Sequence, residues 1–306
     1  MRSLLIYFGL VFIFLFSSCG KKERNSDKSV PFPDELVNFH LLKQDAVFGG
    51  TGNATWDKLI RERGFIIKVD DEWRLYYSGY NPDSSNVKYL GLAISKDGIE
   101  WTRYSKRPIY REDWVEDMFV LKYDGLYYMF AEGENDIPHW LTSADGIKWR
   151  NEGNLKILKT DGKTAVGGRV GTPTVWIEDG IWYLYYERGD QGIWLAKSKD
   201  AKQWINVSDE PVIPMGPDKY DKYAVATNCM IKYNGRYYTY YHAAADSIWN
   251  KWTVNVAMST DLIHWTKYEK NPIIGPDHSS PVVIYDGSQF RLYTMHPVVH
   301  IYVSKK

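Results

Sequence analysis

The chain has almost no cysteine. Of its 306 residues only Cys19 and Cys229 carry a thiol, so no disulfide framework can staple the fold. An excess of charge of one sign is also missing: Lys+Arg and Asp+Glu number 38 each, for a formal net charge of zero. Nucleic-acid binding rests on a basic excess or stripe, so the composition offers no electrostatic case for it. A neutral ligand is not excluded. From about Leu41 onward no segment has the period of an amphipathic helix. Several chemical motifs are absent too, among them Gly-x-Ser-x-Gly and a paired-histidine metal motif. Gly49, Gly50, Gly167 and Gly168 lie in loops without the strand-to-helix setting of a phosphate cradle. No metal or cofactor is therefore expected.

One long apolar run is present, at the very start. Arg2 precedes Leu4 to Phe16, followed by Ser17-Ser18-Cys19, a segment too short and wrongly flanked to span a membrane. Phe16-Ser17-Ser18-Cys19 resembles a bacterial lipobox, in which the cysteine is lipidated and becomes the mature N-terminus. The other reading is an ordinary secretory signal. The resemblance implies a signal peptide over 1–18, then lipidated Cys19 and a polar tether to residue 40. It also implies a place in the bacterial cell envelope, periplasmic or surface-facing, with membrane contact through the lipid alone. Cys229, the remaining thiol, reads as a small buried apolar residue.

What the chain has in quantity is aromatic residues, 16% of the total with 24 Tyr and 13 Trp, a composition suited to strands and to sugar-stacking surfaces. The stretch from Val115 to Gly133 reads as an apolar strand, the turn Asp124-Gly125, and a second aromatic strand, a strong hairpin signal. Four segments share a second signature: Ser95-Lys96-Asp97-Gly98, Ser143-Ala144-Asp145-Gly146, Ser198-Lys199-Asp200-Ala201 and Ser259-Thr260-Asp261-Leu262. Each ends three residues later in a tryptophan: Trp101, Trp149, Trp204 and Trp265, spaced 48, 55 and 61 residues apart. Self-similarity at that period in all-β sequence signals propeller blades. Five hairpins are countable, and the last unit stops short of an outer strand. The segment from Leu41 to Phe48 is expected to supply it and so close the ring. The fold expected is an all-β, five-bladed β-propeller, one domain over 41–306.

Aligned on their turns, the hairpins become a ruler. Inner strands begin at Arg63, Asp117, Thr172, Thr227 and Ser279; second strands end at Ser78, Glu132, Glu187, His242 and His296. The separations are 15, 15, 15, 15 and 17 residues. These positions, with their neighbours Glu62, Glu116, Asp190, Asn228 and His278, are expected to ring one mouth of the central channel. Carboxylates gather on blades one to three and histidines on blades four and five. Repetition for structure alone gives no reason for that segregation.

The blade count, the Ser-x-Asp segments and the acid heading the second inner strand resemble the five-bladed β-propeller glycosidases, the superfamily with glycoside hydrolase families 32, 43, 68 and 117. The resemblance covers about Leu41 to Lys306. In families 43 and 32 that acid is usually followed by Pro; here Met118 follows Asp117, and blade one lacks Asp-Pro, so the chain reads as a divergent branch. Glycoside hydrolysis by the usual route needs two carboxyl groups, one of them protonated near neutral pH. The resemblance implies that Asp117 orients the site or stabilises the transition state. It puts the base or nucleophile at Glu62, with Asp57 in reserve, and the acid at Glu187. Arg63, Glu116, Glu132, Thr172, Asn228, His242 and His296 are expected to contact substrate, with Trp56, Tyr80 and Trp140 available for stacking. Bland readings compete. Glu62 lies between two arginines and Glu187 precedes Arg188, so each reads equally as an ion-pair partner.

The expected activity is hydrolysis of an oligo- or polysaccharide. The alternatives are a non-catalytic glycan-binding propeller and a propeller phosphorylase whose phosphate pocket is built from Arg61, Arg63, Arg169 and Arg188. Fold alone does not choose among them.

Overall fold

A computed structural model describes residues 31–305; the expected signal peptide and lipidated Cys19 lie outside the described residues. Among those described, no helix is long and apolar enough to cross a membrane. Five small sheets make up the compact unit from Phe32 to the C-terminus. Their inner strands are Phe65–Val69, Glu116–Tyr123, Gly171–Glu178, Ala224–Tyr233 and Val282–Tyr285. Each touches the next and the fifth touches the first, which makes the five sheets the blades of a closed propeller.

The recurring Ser-x-Asp segments are the turns that join the third strand of a blade to its outer strand. In blade one Ser95 Oγ accepts the amides of Asp97 and Gly98, while Asp97 Oδ1 accepts those of Ile99 and Glu100. Blades two and four repeat all four bonds. A short side-chain acceptor replaces backbone partners that a tight turn cannot supply. The residue after the Asp is left-handed, at φ 72° for Gly98 and 74° for Gly146. Blades three and four hold the same backbone with Ala201 and Leu262.

The same turns fasten neighbouring blades. The buried Tyr76 of blade one donates to the carbonyl of Gly146 in blade two. Tyr185 of blade three donates to that of Leu262 in blade four, and Tyr293 of blade five to that of Gly98 in blade one. Each tyrosine thus pairs its only polar atom while its ring fills the space between blades.

Blade five has no such turn of its own, and the amino terminus stands in for it. Tyr240 of blade four donates to the carbonyl of Leu36, in a four-residue helix, Asp34–Val37, whose Leu36 and Val37 are buried. The strand Phe39–Leu41 then pairs antiparallel with Val299–Ser304 as the outer strand of blade five. An isolated bridge from Phe48 to Val299 extends the pairing. Closure therefore comes from the amino-terminal segment, as expected, but its strand lies at 39–41 rather than within 41–48. The packed structure reaches back to Phe32, whose ring meets Tyr238 and Tyr268, into residues read from sequence as tether.

Candidate active site

The inner strands turn at their heads. Arg63, Asp117, Thr172 and Ser280 are left-handed, at φ 59°, 49°, 50° and 56°. In blades two, three and four the pairing register shifts at the same place, between Glu116 and Phe119, Gly171 and Thr174, and Thr227 and Cys229. A bulge puts two residues opposite one and re-aims their side chains. For a β-branched residue such as Thr172 this conformation is costly and persists only where its surroundings impose it.

The result is a cavity of about 260 Å³ at the mouth. Glu62, Arg63, Glu116, Asp117, Glu132, Thr172, Glu187, His242 and His296 all line it, so the hairpin ruler brings nine expected residues together. Two others stand apart. Asp57 is 2% exposed and held by Arg103 Nε at 2.6 Å and Tyr77 Oη at 3.1 Å, an ion pair inside blade one rather than a mouth residue. Asn228 is buried beside the bulge of blade four, outside the cavity lining, with its Oδ1 unpartnered among the described residues. Neither Trp56, Tyr80 nor Trp140 lines the cavity. Trp56 and Trp140 stack on Tyr77 and Tyr128, and Tyr80 lies under Lys88.

Arg63 sits at the centre. It is 3% exposed, and Nη2 donates to His242 Nε2 at 2.8 Å across the channel, while Nε lies 3.6 Å from Asp117 Oδ2. Arg61 donates to Glu116 at 2.9 Å and pairs with Glu62 at 2.9 Å. Glu116 also accepts from Trp114 Nε1 at 2.8 Å. Glu132 accepts the amide of Thr172, and Glu187 accepts that of Asp190. A Cβ built on Gly171 would overlap an oxygen of both glutamates. Only glycine lets the two carboxyl groups share that side of the backbone.

Burial decides the charges. It lifts Asp117 well above the usual carboxylate range, against the pull of Arg63 and with help from Glu116 and Glu62. Burial also lifts Glu132 well above it, with further push from Asp117 and Glu187. Glu187 is raised to about 7, by burial first and by the Asp190 charge second. Glu62 behaves oppositely: burial pushes it up, but His296 and Arg61 outweigh this and hold it below the ordinary value. Burial, then Arg63, keeps His242 well below the usual histidine range. Glu62 is thus held ionised in the same mouth where burial favours the protonated forms of Asp117, Glu132 and Glu187.

Sequence reading missed Asp136, Trp249 and Trp252, which also line the cavity. They come from loops and strand starts beyond the aligned hairpin ends. Trp252 packs edge-on to His242 at 4.8 Å, and Trp249, 46% exposed, lies 6.1 Å from Trp252. The cluster Ile248-Trp249 in a polar loop was the available signal. Asp136 pairs with Arg169 at 3.2 Å. Arg188, proposed from sequence for a phosphate pocket, is absent from the lining and stacks instead on Trp194.

No family model matches the chain. It is 28% identical over 268 residues to a 1,2-beta-oligomannan phosphorylase from Thermoanaerobacter sp. (strain X514), covering 79% of this chain and 84% of that protein. A solved glycosyl hydrolase from Bacteroides ovatus superposes with a TM-score of 0.71 at 16% identity, over 89% of this chain and 95% of that one. Another solved structure comes from work describing how the GH130 family of mannoside phosphorylases contains glycoside hydrolases that target beta-1,2 mannosidic linkages in Candida mannan. It matches with a TM-score of 0.69 at 15% identity, over 89% and 95% of the two chains. A thermostable family-43 glycoside hydrolase matches less closely, at 0.56 and 17% identity, over 80% and 88%. The chain shares the five-bladed propeller fold of these structures, and the proteins it is similar to are named for glycan processing.

Proposed function

We propose that this propeller is a glycoside hydrolase acting on β-mannosides, with β-1,2-linked oligomannosides the first substrates to test. The linkage follows from what the phosphorylase relative and one structural neighbour are named for. The choice of water over phosphate rests on one observation, the charge inventory of the mouth. Seven carboxyl groups line it: Glu62, Glu116, Asp117, Glu132, Asp136, Glu187 and Asp190. Its three arginines already have partners: Arg61 with Glu62 and Glu116, Arg63 with Asp117 and His242, Arg169 with Asp136. A phosphate dianion entering there meets the negative charge of Glu62 and, among the described residues, only arginines that already have acidic partners.

Glu62, ionised and steadied by Arg61 and His296, serves as base or nucleophile. Glu187, at about 7, is placed to protonate the glycosidic oxygen as the bond to the anomeric carbon breaks, since a catalytic acid works best with a pKa near the operating pH. Protonated Asp117 donates a hydrogen bond to the bound sugar, which an ionised carboxylate cannot do. The Trp249 and Trp252 rings offer a face for the apolar side of a pyranose.

The test is product identity. Incubated with β-1,2-mannobiose, the protein is expected to release free mannose at a rate indifferent to inorganic phosphate. The phosphorylase relative carries the second reading; phosphate-dependent appearance of mannose 1-phosphate would establish it instead. Binding of oligosaccharides without any cleavage would leave a glycan-binding module.

A further inference from the structure

Beside the mouth, between blades one and two, lies a second concavity of about 530 Å³, a volume ordinary for a small-ligand site. It shares walls with the mouth. Trp114 lines it and also donates its indole N–H to Glu116 in the mouth. The short turn Glu134–Asp136 divides the two: Glu134 and Asn135 face the second concavity, while Asp136 lines the mouth. Asn135 and Asp136 are both left-handed, at φ 63° and 56°, so this divider holds a costly backbone without glycine.

The lining is of the kind that recognises sugars. Tyr89 and Trp114 offer ring faces, and Arg111, Asn151 and Asn154 offer planar donors and acceptors. His139 lies at its floor, 3% exposed. Asn151 Nδ2, fixed as a donor by Asp113 Oδ2 at 2.8 Å, faces His139 Nδ1 at 3.4 Å. Nδ1 must then accept, which leaves the proton on Nε2, and that atom finds no partner among the described residues. An unpaired buried donor of this kind is open to an oxygen acceptor entering the concavity.

We infer that this concavity is an oligosaccharide subsite, holding sugar units of the same substrate chain that extend past Trp114 and the Glu134–Asp136 turn from the unit bound in the mouth. The inference rests on the glycan-processing reading above. It makes the protein selective for chain length.

Two variants test it: Arg111→Ala, which removes a donor, and Asn154→Trp, which fills the groove from an exposed strand edge. Each is assayed on β-1,2-mannobiose and on the corresponding tetraose, with circular dichroism to confirm folding. The ratio of kcat/KM for tetraose to that for biose is expected to fall about tenfold, the equivalent of one lost good hydrogen bond or stacking contact. An unchanged ratio in both variants would overturn the subsite and send the chain toward Trp249 instead. Calorimetric titration with the tetraose separates the two proposals. Variant-sensitive binding without turnover sinks only the hydrolase reading. Turnover of the biose with variant-insensitive binding sinks only the subsite, and no binding of either sugar sinks both.

Discussion

Blades two and three end their second strands in Glu132 and Glu187; at the matching place blade four has His242, two residues before its strand ends, and blade five has His296, just after its strand ends. The backbone plan is shared, and the first three of these side chains are buried in the same mouth. Burial raises the carboxyl groups and lowers His242. Opposite chemical types arrive at the same condition, an uncharged side chain near neutral pH. Among these three the difference is thus one of function rather than charge: the two glutamates hold protons, while His242 accepts a hydrogen bond. Arg63 joins them, bonding His242 while drawing on Asp117.

The largest expected effect separates the two working acids. Glu62→Gln and Glu187→Gln should each lower kcat by about 10²–10⁴-fold, the usual contribution of acid–base catalysis. Glu187→Gln should recover on aryl mannosides with good leaving groups, which need no proton. Glu62→Gln should recover only with added azide or formate. Recovery on activated substrates in Asp117→Asn rather than Glu187→Gln would move the proton donor to blade two.

A smaller effect tests the joint. A donor must be protonated, so activity should fall as pH rises through about 7, the Glu187 value. Asp190 raises Glu187 and Arg63 lowers it. Asp190→Asn should therefore move the alkaline limb of the pH–kcat/KM profile to lower pH, and Arg63→Met should move it to higher pH, each by about one unit. Shifts of the same sign in both variants would refute Glu187 as the titrating group.

The smallest effect is on stability. Between pH 4.5 and about 7 the folded protein binds more protons at Glu187 than the unfolded chain does, so this group's contribution to stability declines as pH rises through that window. Glu62, depressed in the fold, works the other way: it contributes stability above its unfolded value, lost as pH falls through its folded one. Asp190→Asn should flatten the decline in thermal midpoint between pH 5 and 8. An unchanged slope would show that the like charge is screened.

Much of this was legible in the sequence because the repeat is enforced by local chemistry. Ser95, Asp97 and Trp101 recur because each turn needs the same side-chain acceptors, and a hairpin of fixed length carries its ends to the same rim. That arithmetic found Glu62, Asp117, Glu187 and His242. It failed where a residue leaves the repeat. Asp57 sits within reach of the mouth in sequence but is captured by Arg103, a partner 46 residues away. Trp249 and Asp136 lie in loops whose course no periodicity dictates. Protonation states were beyond reach as well, since Glu62 and Asp117 read alike until their burial and neighbours are known.

The strand that closes the ring has a consequence in time. Phe39 is made early and pairs with Ser304, 265 positions later. At ordinary synthesis rates of about 5–20 residues per second, the first strand waits roughly 13–53 s for its partner to exist. Throughout that interval the growing chain carries open β edges at both ends, each a template for pairing with another molecule. Only when Val299–Ser304 has been made can the first strand find its partner. Loss of Val299–Ser304 would leave four blades and an orphaned first strand, a product that quality control is expected to meet as an aggregate rather than as a smaller enzyme.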